Sequence, residues 1–200
     1  MFGEDGNAES EEEDDVNAIF NQKLSELTET NADNIVLSLG YPSAILQSAG
    51  VENKPMKLYG NKVMKKMRKH GFALEELRDL PRAVANPIAV FNNYGEDGNR
   101  SILTELRTQQ GNFLVSVIIG QDADIDFNIV SSVFGKGDNK VVDWITRGLA
   151  TYINKEKALT FLSHLSAPIA ATAANAELST ATNVVRNFQN PNISKWTFLF

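Results

Sequence analysis

The stretch that decides the fold is Lys54-Pro-Met-Lys-Leu-Tyr-Gly-Asn-Lys-Val-Met-Lys-Lys-Met-Arg-Lys-His-Gly71, which is strongly basic and contains no acidic residue. Residues 60–70 have the spacing of a helix, because Val63, Met64 and Met67 fall on one narrow apolar stripe. Gly71 follows as the expected left-handed C-cap, and the cations of the last turn suit the helix dipole. The pattern predicts an amphipathic basic helix whose stripe packs against a sheet.

His70 is the residue of this helix with the most chemical interest. It follows Met67 by three positions and Val63 by seven, which places it at the inward edge of the helix. Imidazole titrates near neutral pH, and a histidine surrounded by cations is suited to proton transfer near a polyanion. The alternative is a half-buried histidine at a basic helix terminus, with a structural role only.

Composition restricts the class of protein and its chemistry. The 200 residues include no cysteine, which excludes thiol catalysis, disulfide bonds and cysteine–zinc sites. No run of about 18 apolar residues occurs, so no membrane span is predicted. The first residues lack the basic and apolar regions of a signal peptide. The length and the apolar fraction of 42% allow one domain with a good core, plus tails.

Charge is distributed unevenly along the chain. Residues 1–33 carry eleven acidic side chains and one lysine, whereas the other 167 residues carry 14 acids and 18 bases. Residues 1–15 are predicted to be disordered and residues 16–30 to form a short helix. The asymmetry indicates a body that binds a polyanion. A separate hypothesis is that the acidic leader masks the basic face of this body before delivery. The alternative is a solvated leader before an unremarkable body.

Four strands separated by short turns are predicted at residues 88–91, 101–107, 113–119 and 124–134, with a short extended piece at 56–59. Connections this short require neighbouring antiparallel strands. Helices are predicted at residues 43–49, 73–80, 139–149 and 155–164, and the second of them ends at Pro81. The predicted fold class is α+β, with N-terminal helices packed on a roughly four-stranded antiparallel meander sheet and followed by C-terminal helices.

The last predicted strand alternates regularly. Ile129, Ser131 and Val133 are expected on one face, and Val130 and Ser132 on the other. Two nearby motifs do not match a known site. Asp122-Ala-Asp124-Ile-Asp126 lacks the later glycine and glutamate of a calcium loop, and Gly135-Lys136-Gly137 lacks the spacing of a phosphate-binding loop. Two histidines 94 residues apart argue against a zinc site.

A set of polar residues near the predicted strand ends has the chemistry needed to cleave RNA. Such cleavage requires a base for the 2′-hydroxyl, an acid for the leaving oxygen, and cations for the pentacoordinate phosphate. The residues that can supply these groups are Lys69, His70, Glu105, Arg107 and Lys136, and Ser131 and Ser132 lie near them at the end of another predicted strand. The alternative is an ordinary solvated sheet surface, where charged and hydroxyl side chains are common.

Several runs, taken in order, resemble one known family. They are Leu37-Ser-Leu-Gly-Tyr-Pro-Ser-Ala-Ile-Leu46, Lys65-Lys-Met-Arg-Lys-His-Gly-Phe72, Leu80-Pro-Arg-Ala-Val-Ala-Asn-Pro-Ile-Ala-Val-Phe91, Ile102-Leu-Thr-Glu-Leu106, Asn128-Ile-Val-Ser-Ser-Val-Phe-Gly-Lys136, Trp144-Ile145 and Tyr152-Ile-Asn-Lys155. Over about residues 34–165 the chain resembles the MuF C-terminal-like domains of large polyvalent proteins from phages and conjugative elements. The order of the motifs is fairly specific, and no single motif is.

The resemblance implies a fold and a site. These domains are grouped with the barnase–EndoU–colicin–RelE superfamily, whose members are mostly metal-independent RNases with N-terminal helices against a four-stranded antiparallel sheet. By resemblance, the matching positions are Lys69-His70, Thr104-Glu105 and Ser132 to Lys136. The implied catalytic residues are His70, Glu105 and Ser132, and the implied substrate-binding residues are Lys69, Thr104, Arg107 and Lys136.

The leading hypothesis is therefore a metal-independent, RNase-like toxin or effector domain of a phage or mobile-element polyprotein, without cofactor. The expected partners are RNA, an immunity or partner protein, and the rest of a larger polyprotein, with no membrane, in the cytoplasm of a bacterial host. The expected domains are an acidic leader at 1–33 that includes a short helix, an RNase-like domain at 34–166, and a loosely structured extension at 167–200. The alternatives are a non-catalytic module that binds protein or nucleic acid and, third, nucleotidyl or ADP-ribosyl transfer.

Overall fold

The computed structural model describes residues 5–92, 99–109, 113–119, 126–136 and 138–163. The helices are α1 (Asp5–Ser25), α2 (Ala44–Ser48), α3 (Gly60–His70), α4 (Leu80–Ala85), α5 (Asp138–Thr146) and α6 (Lys155–Ser163), with a 3₁₀ helix at Leu74–Leu77. The strands are β1 (Val36–Ser38), β2 (Met56–Tyr59), β3 (Ala89–Asn92), β4 (Arg100–Arg107), β5 (Phe113–Ile119), β6 (Asn128–Lys136) and β7 (Ala150–Ile153). The predicted α+β class is confirmed. The predicted extension at 167–200 lies outside the described residues.

The strands form one mixed sheet in the order β1-β2-β6-β5-β4-β3-β7. The predicted antiparallel meander is its central part, β3 to β6. The sheet is larger than four strands because the extended piece at β2 pairs in parallel with β6, and β1 then pairs with β2. On the other side β7 pairs with β3. These added strands bring α3 directly off the end of β2, beside the meander.

Each face of the sheet packs on its own apolar core. Neighbouring residues of β4 show the division, because Ile102 belongs to the first core and Leu103 to the second. The first core lies under α1 to α4 and includes Phe20, Leu24, Leu27, Leu37, Met56, Leu58, Val63, Leu80, Val90, Val130 and Val133. The second core lies under α5 and α6 and comprises Ile88, Ala89, Phe91, Leu103, Val141, Val142, Ile145, Ile153, Ala158 and Phe161.

The regular alternation predicted for the fourth strand is wrong. On β6, Val130 pairs with Ile118 and Ser132 pairs with Val117, so the strand carries one extra residue at Ser131. Val130 and Val133 consequently both belong to the first core, although they are three residues apart. A bulge changes the face that later side chains occupy, and the sequence pattern alone does not reveal it.

Helix α1 begins at Asp5 rather than at residue 16. The N-terminus of a helix carries a partial positive charge that favours acidic side chains, and this is consistent with the acidic sequence in the first part of α1. Its later residues Phe20 and Leu24 are buried in the first core, and Leu27 and Ala32 continue that packing. Residues on both sides of the boundary predicted at residue 33 thus contribute to one core.

Helix α4 begins where the sequence predicted a helix to end. Pro81 occupies the first turn of α4, where a residue without a backbone N–H is tolerated. The preceding Asp79 has a φ of 62°, which few non-glycine residues adopt. Its carboxylate accepts hydrogen bonds from the side chains of Asn17 and Asn21, so α1 is fastened to the start of α4.

Candidate functional site

The first feature of the candidate site is the close packing at the start of α3. A Cβ on Gly60 would lie 2.7 Å from Cδ1 of Leu27 and 2.8 Å from the carbonyl oxygen of Ala32. Glycine therefore allows the helix to start directly against the segment that follows α1. Further along, Val63 is buried, and Met64 and Met67 pack on the first core, as the apolar stripe predicts. The stripe fixes which side of α3 faces outward.

The outward side of α3 is basic. Four of its side chains, Lys62, Lys65, Arg68 and Lys69, are exposed, and we call them the α3 basic surface. The helix contains no acidic residue, and Gly71 ends it in the left-handed conformation with φ 66°, as expected. Cations this close together attract a polyanion and release its counterions when it binds.

His70 is the last residue of α3 and is partly buried. The chain after it crosses to one end of the sheet, where Oε1 of Glu76 accepts a hydrogen bond of 3.0 Å from the backbone N–H of Gln109. At that end Arg107 pairs with Phe113, which in turn pairs with Lys136. The structure thus brings the segment after His70 to the end of the sheet that carries Arg107 and Lys136.

Glu105 has a different neighbour. Its Oε2 lies 2.6 Å from Nζ of Lys157 on α6, and the same ammonium donates to the backbone oxygen of Asn86 at 2.7 Å. Helix α6 packs in the second core, whereas α3 packs in the first. The carboxylate of Glu105 is therefore held on the side of the sheet opposite α3 and His70.

The two predicted hydroxyl groups are buried. Thr104 is 0% exposed and Ser132 is 7% exposed, so neither lines an open surface. The Oγ of Ser132 is buried without a hydrogen-bond partner. Because of the bulge at Ser131, Ser132 follows the register of Val117 and lies on the opposite face from Val133. The structure does not bring Thr104 or Ser132 to a common surface with His70.

Sequence reasoning missed Lys157 and Glu76. Both are ordinary charged residues, and each meets its partner, Glu105 or Gln109, across a large separation in sequence. A single sequence carries no local signal for such pairs. It also missed a cavity of about 350 Å³ between α1 and α4, which none of the predicted site residues lines. The residues at its base and rim include Val16, Leu39, Tyr41, Pro42, Pro81 and Arg82.

Metal-ligating side chains do not cluster in the described part of the chain, where no group of three or more histidine, cysteine, aspartate or glutamate side chains could hold a metal ion. None of the helices described is both long enough and apolar enough to cross a membrane.

These observations define a class: an α+β domain with a mixed sheet that has an apolar core on each face, the second of them at β3, β4 and β7, and a basic helix that ends in a histidine beside the sheet. The model of the phage MuF C-terminal domain family matches residues 61–160, which is half of the 200-residue chain. The chain therefore belongs to the phage MuF C-terminal domain family, and that part of the predicted resemblance is confirmed. The relationship to barnase–EndoU–colicin–RelE RNases stays a prediction. No curated protein and no solved structure matches the chain.

Proposed function

We propose that this domain binds RNA and cleaves it as a metal-independent, RNase-like effector of a phage or mobile-element protein. The observation that carries the proposal is the α3 basic surface, which ends in the partly buried imidazole of His70. A polyanion attracted to the four exposed cations would bring its phosphates to a group able to transfer protons near neutral pH. Membership of a phage protein family supports the context.

The chemistry proposed for His70 is general acid–base catalysis. A base removes the proton of a 2′-hydroxyl, the oxygen attacks the adjacent phosphorus, and the 5′-oxygen leaves with a proton supplied by an acid. The product is a cyclic phosphate, and the pentacoordinate intermediate carries extra negative charge. We assign stabilisation of that charge to Lys69, Arg107 and Lys136, which lie on α3 and at one end of the sheet.

Glu105, Thr104 and Ser132 are not assigned to the reaction in this proposal. The carboxylate of Glu105 is paired with Lys157 on the far side of the sheet, and the two hydroxyl groups are buried. A carboxylate that already neutralises a lysine is a poor partner for an imidazole elsewhere. His70 is therefore the proposed proton-transfer group of the protein: it accepts the 2′-hydroxyl proton, and a solvent water protonates the leaving 5′-oxygen.

The test is incubation of the full chain with total RNA in excess EDTA. Wild type should produce fragments with cyclic phosphate ends, and His70→Ala should lose this activity. His164→Ala is the matched control, since the chain has only two histidines. Cleavage that survives in His70→Ala would remove this residue from the mechanism, and cleavage that EDTA abolishes would contradict metal independence.

A second function, a non-catalytic binding module, is favoured by the same placement of Glu105 and Ser132. The carboxylate of Glu105 is paired with Lys157 and the hydroxyl of Ser132 is buried. His70 therefore lacks two of the catalytic groups that the family resemblance implies. Such a module would bind RNA or a protein partner without cleaving anything. Binding of intact RNA by the wild-type chain, with no products after long incubation, would support this function over cleavage.

A further inference from the structure

Among the described residues, the half of the sheet formed by β1, β2 and β6 contributes no side chain to the second core. The second core contains residues of β3, β4 and β7 together with α5 and α6, and none from β1, β2 or β6. On that face, the described side chains of β1 and β2 are Val36, Ser38, Lys57 and Tyr59, and all four are partly or fully exposed. The described side chains of β1 and β2 on this face therefore lie outside the second core, whereas Ser132 further along β6 on the same face is buried.

Alternation along the strands identifies the outward side chains. On β2, Met56 and Leu58 are buried in the first core, so Lys57 and Tyr59 point to the opposite face. On β6, Val130 is buried in the first core and its neighbour Ile129 is partly exposed. Lys57 pairs in register with Ile129, which places both strands' outward residues side by side.

An aromatic ring lies at each end of this surface. The Nζ of Lys57 is 4.2 Å from the centroid of the Phe127 ring, a cation–π contact. Lys57 on β2 is in register with Ile129 on the parallel strand β6. Phe127 lies two residues before Ile129, and Tyr59 lies two residues after Lys57. The two aromatic positions are thus separated by four residues of strand, about 13 Å. We call Lys57, Tyr59, Phe127 and Ile129 the open platform.

The charge of the open platform selects the kind of ligand. In the described ranges Lys57 forms no salt bridge, and its ammonium lies over the Phe127 ring. A lysine between two partly exposed aromatic side chains suits a single-stranded nucleic acid, because the aromatic rings can stack on its bases and the lysine can contact its phosphates. Single-stranded RNA binds open sheets in this way, with bases stacked on aromatic rings and the backbone near cations.

We propose that the open platform is a binding surface for single-stranded RNA, in which bases stack on Tyr59 and Phe127 and a phosphate lies near Lys57. The proposal rests on RNA being the ligand of the proposed function and extends it to a second surface. Tyr59 directly precedes α3, whose eleven residues end at His70, about 16 Å further along the helix. The platform lies on the face of the sheet opposite α3, so the platform and the α3 basic surface are two separate contacts for RNA in this proposal.

The experiment measures fluorescence anisotropy of a short labelled single-stranded oligouridylate at low salt. The parent protein is His70→Ala, which prevents cleavage during the titration. Tyr59→Leu and Phe127→Leu should each raise the Kd about tenfold, because a base stacked on an aromatic side chain contributes roughly 1–3 kcal/mol. Tyr59→Phe keeps the ring and should bind as tightly as the parent, which separates stacking from damage to the fold.

Tyr41→Leu is the matched control, because Tyr41 is an exposed tyrosine that lines the cavity between α1 and α4 instead. Equal affinity of the parent and both leucine variants would overturn the platform, and so would an equal loss in Tyr41→Leu. Absence of RNA binding by the parent would also overturn it, leaving a protein ligand for this face. Failure of the proposed function gives a different result. In that case Tyr59→Leu and Phe127→Leu still weaken RNA binding, but the wild-type chain does not cleave RNA.

Discussion

Lys157 holds the carboxylate of Glu105 at 2.6 Å, so a helix of the second core is tied to strand β4 by an ion pair. The lysine is only 19% exposed, whereas the glutamate is 54% exposed. Lys157 also donates to the backbone oxygen of Asn86, which precedes β3. The contact therefore joins α6 to two neighbouring segments of the sheet, and it defines the role that the structure gives to Glu105.

The first prediction concerns this ion pair. Glu105→Gln should lower the free energy of unfolding by about 1 kcal/mol or less, since the glutamate is largely in water. It should leave RNA cleavage unchanged, because the carboxylate lies on the face opposite α3. Urea denaturation and the cleavage assay test the two statements.

Lys157→Met and the double variant of Glu105→Gln with Lys157→Met complete a double-mutant cycle, which isolates the interaction energy between the two side chains. Lys155→Met is the control, as it alters an exposed lysine on the same helix. A loss of cleavage in Glu105→Gln, with stability unchanged, would instead return Glu105 to the catalytic site.

The second prediction concerns the contact between α1 and α4. Asn17, which is buried, donates to the carboxylate of Asp79, and Asn21 donates more weakly. The hydrogen bond from Asn17 is the main reason that the pKa of Asp79 lies below its usual value of 3.8, although burial opposes the shift. Asn17→Ala should destabilise the protein by about 1–3 kcal/mol, because it removes a partner from a partly buried charge.

The effect of Asn17→Ala should depend on pH. A carboxyl group with a lowered pKa binds fewer protons in the folded than in the unfolded protein, so its contribution to stability is complete above the unfolded pKa. That contribution is lost as the pH falls through the folded pKa, below 3.8. The stability difference between wild type and Asn17→Ala should therefore shrink on going from pH 7 to pH 3. Gln22→Ala, an exposed change on the same helix, should show no such trend.

The third prediction concerns Gly60, where α3 begins. Alanine has the higher helix propensity by about 1 kcal/mol, yet its Cβ would meet Cδ1 of Leu27 at 2.7 Å and a backbone oxygen at 2.8 Å. Backbone cannot move aside cheaply, so Gly60→Ala should be net destabilising by about 1–3 kcal/mol. Thermal unfolding measures the change. Lys62→Ala, in the same turn but exposed, should be nearly neutral, and a stabilised Gly60→Ala would show that this packing is looser.

The fourth prediction concerns the α3 basic surface. If these cations contact RNA phosphates, Lys65→Gln should weaken binding of every sequence alike. It should also reduce the slope of log affinity against log salt by about 0.7, the value for one phosphate contact on a single strand. Titrations of labelled RNA at several salt concentrations give the slope. Lys155→Gln is the control, and an unchanged slope in Lys65→Gln would place RNA away from α3.

Local sequence signals determined the elements that depend on local physics. The apolar stripe of Val63, Met64 and Met67 and the glycine at position 71 predicted α3 with the bounds that the structure has. The run from Phe113 to Ile119 likewise predicted β5 at its observed bounds. Periodicity and capping involve residues a few positions apart, so one sequence contains the information they need. The α+β class follows from such elements in order.

Tertiary structure alone decided how those elements meet. The parallel pairing of Met56 with Asn128 adds β1 and β2 to the meander, and the bulge at Ser131 changes the face of Ser132. Both depend on partners far away in the chain, which leave no periodic trace. For the same reason the sequence predicted Glu105 and His70 in one catalytic set, whereas Lys157, 52 residues after Glu105, holds that carboxylate on the opposite face. The sequence was enough to identify residue types suited to catalysis, but the pairing of the strands determines which of these residues lie on the same surface.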